Sequence, residues 1–223
     1  MNTTDWISNN YIEIFGAATG ILYVFLEIRQ NIWLWPVGII TSGVYIWVFF
    51  TGKIYADMSL QVYYLVISIL GWYWWVKGTR LRTQDAGQNK NSPFEGGEGD
   101  VYTVEKYTET SEKLVVTRLK LKTGIILLIV FMLLFTLMWQ FLGRLTDSPV
   151  PGRDAFITSL SIIATWMLAR KIYEHWYLWI VVNTASVILF IARGLYPTVL
   201  LYLVYCTMSF VGLRAWKRTI REK

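Results

Sequence analysis

The chain has 223 residues, 55% of them apolar, 17% aromatic and only 16% charged, with a mean hydropathy of +0.41. A water-soluble domain carries about 25% charged residues, so this composition belongs to a protein that lives in a bilayer. The 21 Lys and Arg exceed the 15 Asp and Glu, but they flank apolar runs as the positive loops of a membrane protein do, and no nucleic-acid partner is expected. The one cysteine, Cys206, has no mate for an intrachain disulfide. No clustered His/Cys spacing offers a metal site, and no cofactor is expected.

A spanning helix needs about 20 mostly apolar residues, because unpaired backbone amides are not tolerated in lipid. In chain order the apolar runs are 11–28, 30–52, 58–76, 124–143, 155–169, 177–192 and 194–213. Seven transmembrane helices are predicted. The first is not a cleavable signal, since it is preceded by Asp5 and contains Glu13 rather than opening on a basic region.

Loop charge sets the orientation. With the N-terminus outside, the inner loops hold 17 Lys and Arg and the outer loops hold four, Lys53, Arg144, Arg153 and Arg193. The positive-inside rule therefore puts the C-terminus in the cytoplasm. Residues 78–121 form a cytoplasmic linker, disordered over the Gly/Ser/Asn-rich run Gln84 to Asp100, with alternation at Val101–Val104 and Leu114–Thr117 that suggests a small hairpin. The expected organisation is a first three-helix unit over 9–77, the linker over 78–121, a linking helix 4 over 122–145 and a second three-helix unit over 150–217.

The two units resemble each other. Trp33-Leu-Trp35 is matched by Tyr177-Leu-Trp179, Tyr63-Tyr64 by Tyr202-Leu-Val-Tyr205, and Gly71-Trp72-Tyr73-Trp74-Trp75 by Gly212-Leu-Arg-Ala-Trp216. One helix separates the halves, so they lie in the membrane in the same direction, as in transporters that hold substrate between parallel repeats.

Of the twelve Trp, those at predicted helix ends (Trp6, Trp33, Trp72, Trp74, Trp75 and Trp216) fit an interfacial belt. Trp176, Trp179 and Asn183 follow at spacings of three and four, on one face of helix 6. An aromatic stripe ending in a carboxamide suits a flat polar ring, through stacking, cation–π attraction and a hydrogen bond. Gln61 and Gln140 are the stronger of the remaining intramembrane polar residues. Glu27 and Glu174 are expected to pair with Arg29 and with Arg170 or Lys171 at the inner face, and His175 to snorkel there. Gly16-Ala-Ala-Thr-Gly20 is a GxxxG step that admits a neighbouring backbone. No Walker A loop, HExxH, GxSxG or SxxK motif occurs, and no ladder of acids runs through a span, so a transporter without an internal energy source fits better than an enzyme or a pump.

The segments Glu27-Ile-Arg-Gln-Asn-Ile-Trp33-Leu-Trp35-Pro-Val-Gly38, Gly71-Trp72-Tyr73-Trp74-Trp75 and Arg170-Lys171 with Glu174-His-Trp176-Tyr-Leu-Trp179-Ile-Val-Val-Asn183 resemble the PnuC family of bacterial vitamin transporters. The resemblance covers nearly all the membrane part. It implies an all-α membrane protein with seven helices in a 3+1+3 arrangement like that of the sugar-carrying SWEETs, assembled as a homotrimer. It further implies facilitated diffusion of nicotinamide riboside across the cell inner membrane, with trapping by a cytosolic kinase. Carried over by motif, Trp176, Trp179 and Asn183 are the binding face, with Trp35 as their counterpart in the other repeat and Gln61, Tyr63 and Gln140 as neighbours. Thiamine is the alternative substrate, since the Ile-Trp-Leu-Trp start of helix 2 looks like thiamine-associated members, and riboflavin is carried by others. A non-transporting scaffold or sensor working through the linker is the rival from another class.

Overall fold

The computed structural model describes residues 3–51, 55–86, 115–145, 150–192 and 194–221. These form seven helices, α1 Thr3–Ile28, α2 Leu34–Thr51, α3 Tyr55–Ala86, α4 Leu121–Leu145, α5 Pro151–Ala169, α6 His175–Ala192 and α7 Tyr196–Arg221. Each predicted span has its helix. Four of them, α2, α4, α6 and α7, are long and apolar enough to cross a bilayer. Helix α3 runs on to Ala86, so residues 78–86, expected in the linker, continue a helix instead.

The ends of α1 and α5 close in the same way. Gln30 and Lys171 both take the left-handed conformation at φ 52°. Around Gln30 the amides of Gln30 and Asn31 donate to the carbonyls of Glu27 and Leu26, and around Lys171 the amides of Lys171 and Ile172 donate to Leu168 and Met167, all at 2.9 to 3.0 Å. This is the Schellman pattern of helix ends, here with a side chain at the position glycine usually takes. Every one of these residues has its counterpart 141 positions further on, and the amides that open the next helices, Leu34 to Asn31 and Trp35 to Ile32, recur as His175 to Ile172 and Trp176 to Tyr173.

The same offset governs the packing. Trp35 lies against Gly71 and Trp176 against Gly212, each so close that a Cβ on the glycine would run into the indole ring. Trp35 meets Trp75 edge-on at 5.3 Å, and Trp176 meets Trp216 edge-on at 6.0 Å. The register of the duplication therefore sets Trp35 opposite Trp176, three residues short of the Trp179 match that composition suggests. Helix α1 packs on α2 and α7, α5 packs on α6 and α3, and α4 packs along α5.

Between the halves, Trp75 donates its indole N–H to the carbonyl of Ala169 at 3.2 Å and Trp216 donates to that of Glu27 at 3.0 Å. Both were expected in the interfacial belt, yet Trp75 is 5% exposed and Trp216 is fully buried. The indole's large apolar area is better placed between packed helices when its one donor finds a carbonyl with a lone pair to spare at a helix end. Trp33, Trp47 and Trp139 are exposed, as rings on a lipid-facing surface are.

Of the expected hairpin only 115–117 falls within the described residues. Thr117 pairs in parallel with Ile172, donating its amide to Lys171 and accepting from Tyr173, and Glu174 accepts the amide of Leu119 at 2.9 Å. The end of the linker is thus stitched to the α5–α6 turn, while 101–104 lies outside the described residues. Within the chain the GxxxG step of α1 meets side chains and not a backbone: Gly16 faces the hydroxyl of Tyr45 and Gly20 that of Tyr205.

Candidate functional site

A cavity of about 310 Å³ draws its wall from α1, α2, α3, α5, α6 and α7. That volume is at the lower end of the range for small-molecule sites. Most of the lining falls into pairs 141 residues apart, among them Ser42 with Asn183, Tyr64 with Tyr205 and Ser68 with Ser209. The cavity therefore straddles the line that relates the repeats.

Helix α6 brings Trp176, Trp179 and Asn183 to this wall together, as their spacing requires. The indole N–H groups of Trp176 and Trp179 are buried and have no partner among the described residues. A buried donor left open costs about 1–3 kcal/mol, and a polar ligand in the cavity can remove that cost. Asn183 is 5% exposed and donates from Nδ2 to the hydroxyl of Ser209 at 3.1 Å, while Ser209 donates to the carbonyl of Tyr205 at 2.8 Å. The carboxamide is thus held in one orientation by α7, its oxygen free to accept.

Gln61 reaches the wall from α3. Three other expected residues are not in the lining. Trp35 is fully buried between Gly71 and Trp75, where its own indole N–H is also unpartnered. Tyr63 turns to α5 and donates its hydroxyl to the carbonyl of Ile162 at 2.9 Å. Gln140 is exposed on α4, which among the described helices packs on α5. Tyr64 lines the cavity from the position next to Tyr63 along α3, and Tyr23, Tyr202 and Tyr205 supply further phenols. The repeat offset applied to Tyr205 would have singled out Tyr64 rather than Tyr63.

The residues at the end of α1 were read differently from what the structure contains. Glu27 is 2% exposed and lines the cavity. Its Oε1 meets Nε2 of His175 at 3.0 Å, a contact between the two groups, and Arg29, the expected partner, lies over the ring of Phe25 at 4.8 Å. His175 does not snorkel. It is fully buried, its Nδ1 faces the carbonyl of Ile172 at 2.7 Å, and its ring sits 4.7 Å from each of Trp176 and Trp216. Two buried polar groups of opposite capacity are better satisfied by each other than by an interface neither can reach. Arg170 caps the same end of the molecule, 4.5 Å over the ring of Trp74.

Residues 10–218 match the model of the nicotinamide mononucleotide transporter family. The nicotinamide riboside transporter PnuC of Escherichia coli (strain K12) is 26% identical over 215 residues, covering 96% of this chain and 88% of that protein. PnuC of Neisseria mucosa is 24% identical, covering 96% of this chain and 74% of that protein, and the riboflavin/roseoflavin transporter RibM of Streptomyces davaonensis is 23% identical over 92% and 83%. The fold is similar to that in the crystal structure of the vitamin B3 transporter PnuC, with a TM-score of 0.67 over 96% of this chain and 84% of that one, at 22% identity. Seven helices, a cavity between two similar halves and this match from end to end make the chain a multi-pass membrane transporter, not an enzyme, and a member of the nicotinamide mononucleotide transporter family.

Proposed function

We propose that the protein carries nicotinamide riboside across the inner membrane by facilitated diffusion. The observation that carries this reading is the pair of unpartnered indole donors beside Asn183 in a cavity of nucleoside size. Trp176 and Trp179 offer faces for the aromatic ring, Asn183 accepts from or donates to a carboxamide or sugar hydroxyl, and Gln61 reaches across from α3. The names of the two PnuC relatives support the choice of this vitamin over thiamine, and that of RibM makes riboflavin the competitor to test.

The helices group as 3+1+3. Residues 9–77 and 150–217 are the two units, 122–145 is a linking helix that does not gate, and the linker 78–121 has no site of its own. The 141-residue recurrence of helix ends, glycine–indole contacts and cavity residues supports a parallel, SWEET-like duplication. Rocking of one unit against the other about the cavity exposes the ligand to each side in turn. The N-terminus lies outside and the C-terminus in the cytoplasm, in accord with the basic residues at the C-terminal end of α7, Arg214, Lys217, Arg218 and Arg221. The protein works as a homotrimer, and a cytosolic kinase traps the product by phosphorylation, which makes net flux follow demand.

Purified protein is titrated by calorimetry with nicotinamide riboside, thiamine and riboflavin, and reconstituted in sealed vesicles for counterflow. Nicotinamide riboside is expected to bind, to lose about tenfold or more in affinity with Trp179→Ala or Asn183→Ala, and to equilibrate without accumulating. Preferred binding of another vitamin would reassign the substrate, and uphill uptake on a proton or sodium gradient would sink the diffusion mechanism.

A further inference from the structure

Among the described residues the cavity wall contains one carboxylate and no ammonium, guanidinium or imidazole, and the carboxylate is that of Glu27. His175 stands behind it, with Nδ1 committed as donor to the carbonyl of Ile172 and Nε2 against Oε1 of Glu27. A hydrogen bond between these two atoms requires one further proton, carried by either of them. Tyr23, one turn back on α1 and the other titratable group that feels the carboxylate, brings no positive charge. Burying such a pair is costly, and a well-packed apolar pair of similar volume often serves stability as well or better.

The molecule contains its own control for that cost. The counterpart of Glu27, 141 residues on, is Leu168, and the counterpart of His175, 141 residues back, is Leu34. Both leucines are fully buried in one apolar cluster. Packing at one of these equivalent corners is therefore met by two leucines, one from each half, and the acid and imidazole at the other corner, again one from each half, go beyond what packing requires. The polar version stands where Trp176 lines the cavity, whereas Trp35 beside the leucines does not.

We infer that Glu27, positioned by His175, is the residue that selects a ligand by the positive charge of its ring. This rests on the reading of the ligand as a pyridinium nucleoside. With a cationic ring against the wall, the shared proton resides on Nε2 and Glu27 meets the ring as a carboxylate, balanced from behind by the imidazolium. An uncharged ring of the same shape gains the indole contacts and forfeits the charge.

The test compares nicotinamide riboside with its uncharged 1,4-dihydro form in calorimetric titrations of the full chain. Wild type is expected to prefer the cation by about tenfold or more. Glu27→Gln should erase the preference while the dihydro form binds as before, which also reports that the variant is folded. His175→Gln, which still donates to Oε1, should keep most of the preference, and His175→Leu should lose it. Should Glu27→Gln not fold, Glu27→Asp, one methylene shorter, is expected to reduce the preference with the dihydro affinity held. Equal affinities in wild type, or an unchanged preference in Glu27→Gln, would overturn the inference and leave the substrate reading standing. Binding of neither form by wild type would overturn both.

Discussion

The turn after α1 and the turn after α5 are built from the same two hydrogen bonds, the same left-handed residue and the same indole lying on a glycine. Around this shared frame the two halves part company where they face the cavity. The first half has Gly38 and Ser42 where the second has Trp179 and Asn183, and Leu34 where the second has His175. Only α1 contributes a carboxylate, Glu27, against Leu168 of α5. Where the same frame recurs 141 residues on, the positions that differ between its two occurrences are not needed for the frame and are available for ligand recognition.

Making the halves alike at the acid–imidazole corner is the strongest way to break this comparison. Glu27→Leu alone or His175→Leu alone leaves a buried polar group without its partner and should destabilise the protein by about 3–5 kcal/mol. The double variant Glu27→Leu/His175→Leu recreates the Leu168–Leu34 pairing and should recover most of that loss in thermal unfolding. A double variant no more stable than the singles would show that the two corners are not equivalent environments.

Next in size are the glycines beneath the indoles. Gly71→Ala and Gly212→Ala each force a methyl group into a ring, and overpacking of this kind costs about 1–3 kcal/mol. Stability should fall similarly in both. Ligand affinity should fall in Gly212→Ala alone, because Trp176 lines the cavity and Trp35 does not. Equal loss of affinity in the two variants would place Trp35 in the site after all. A smaller step is Trp216→Phe, which removes the donor to the Glu27 carbonyl and is expected to cost about 1 kcal/mol in the same unfolding measurement.

Much of this was legible in the sequence. Length and hydropathy mark all seven helices, because a bilayer permits few alternatives to a helix, and the three-and-four spacing of Trp176, Trp179 and Asn183 places them on one face whatever the helix packs against. What escaped depends on partners far along the chain. Glu27 and His175 are separated by 148 residues, and each alone looks like a charged residue near a helix end. Trp75 and Trp216 look like belt residues until the carbonyls of Ala169 and Glu27 are set opposite them. Tyr63 and Tyr64 differ by one position and hence by about 100° around α3, so only the register of the repeat separates the one that bonds α5 from the one that lines the cavity.

The smallest effect concerns the region with no counterpart in either half. The linker meets the helices at Thr117, held by both neighbours of Ile172, and at Leu119, whose amide Glu174 accepts. A deletion of residues 84–112 stops short of these contacts and leaves the cavity wall untouched. Riboside binding by calorimetry and counterflow in vesicles should then stay within about twofold of wild type, a difference of roughly 0.4 kcal/mol. Extending the deletion through Thr117 should lower stability by the loss of two backbone hydrogen bonds, about 1–3 kcal/mol, because it unpins the turn that carries Lys171 and the start of α6. A carrier whose chemistry lies between its two halves predicts that contrast. Loss of transport in the short deletion, with binding retained, would instead move the working part of the molecule into the linker and favour the scaffold or sensor reading.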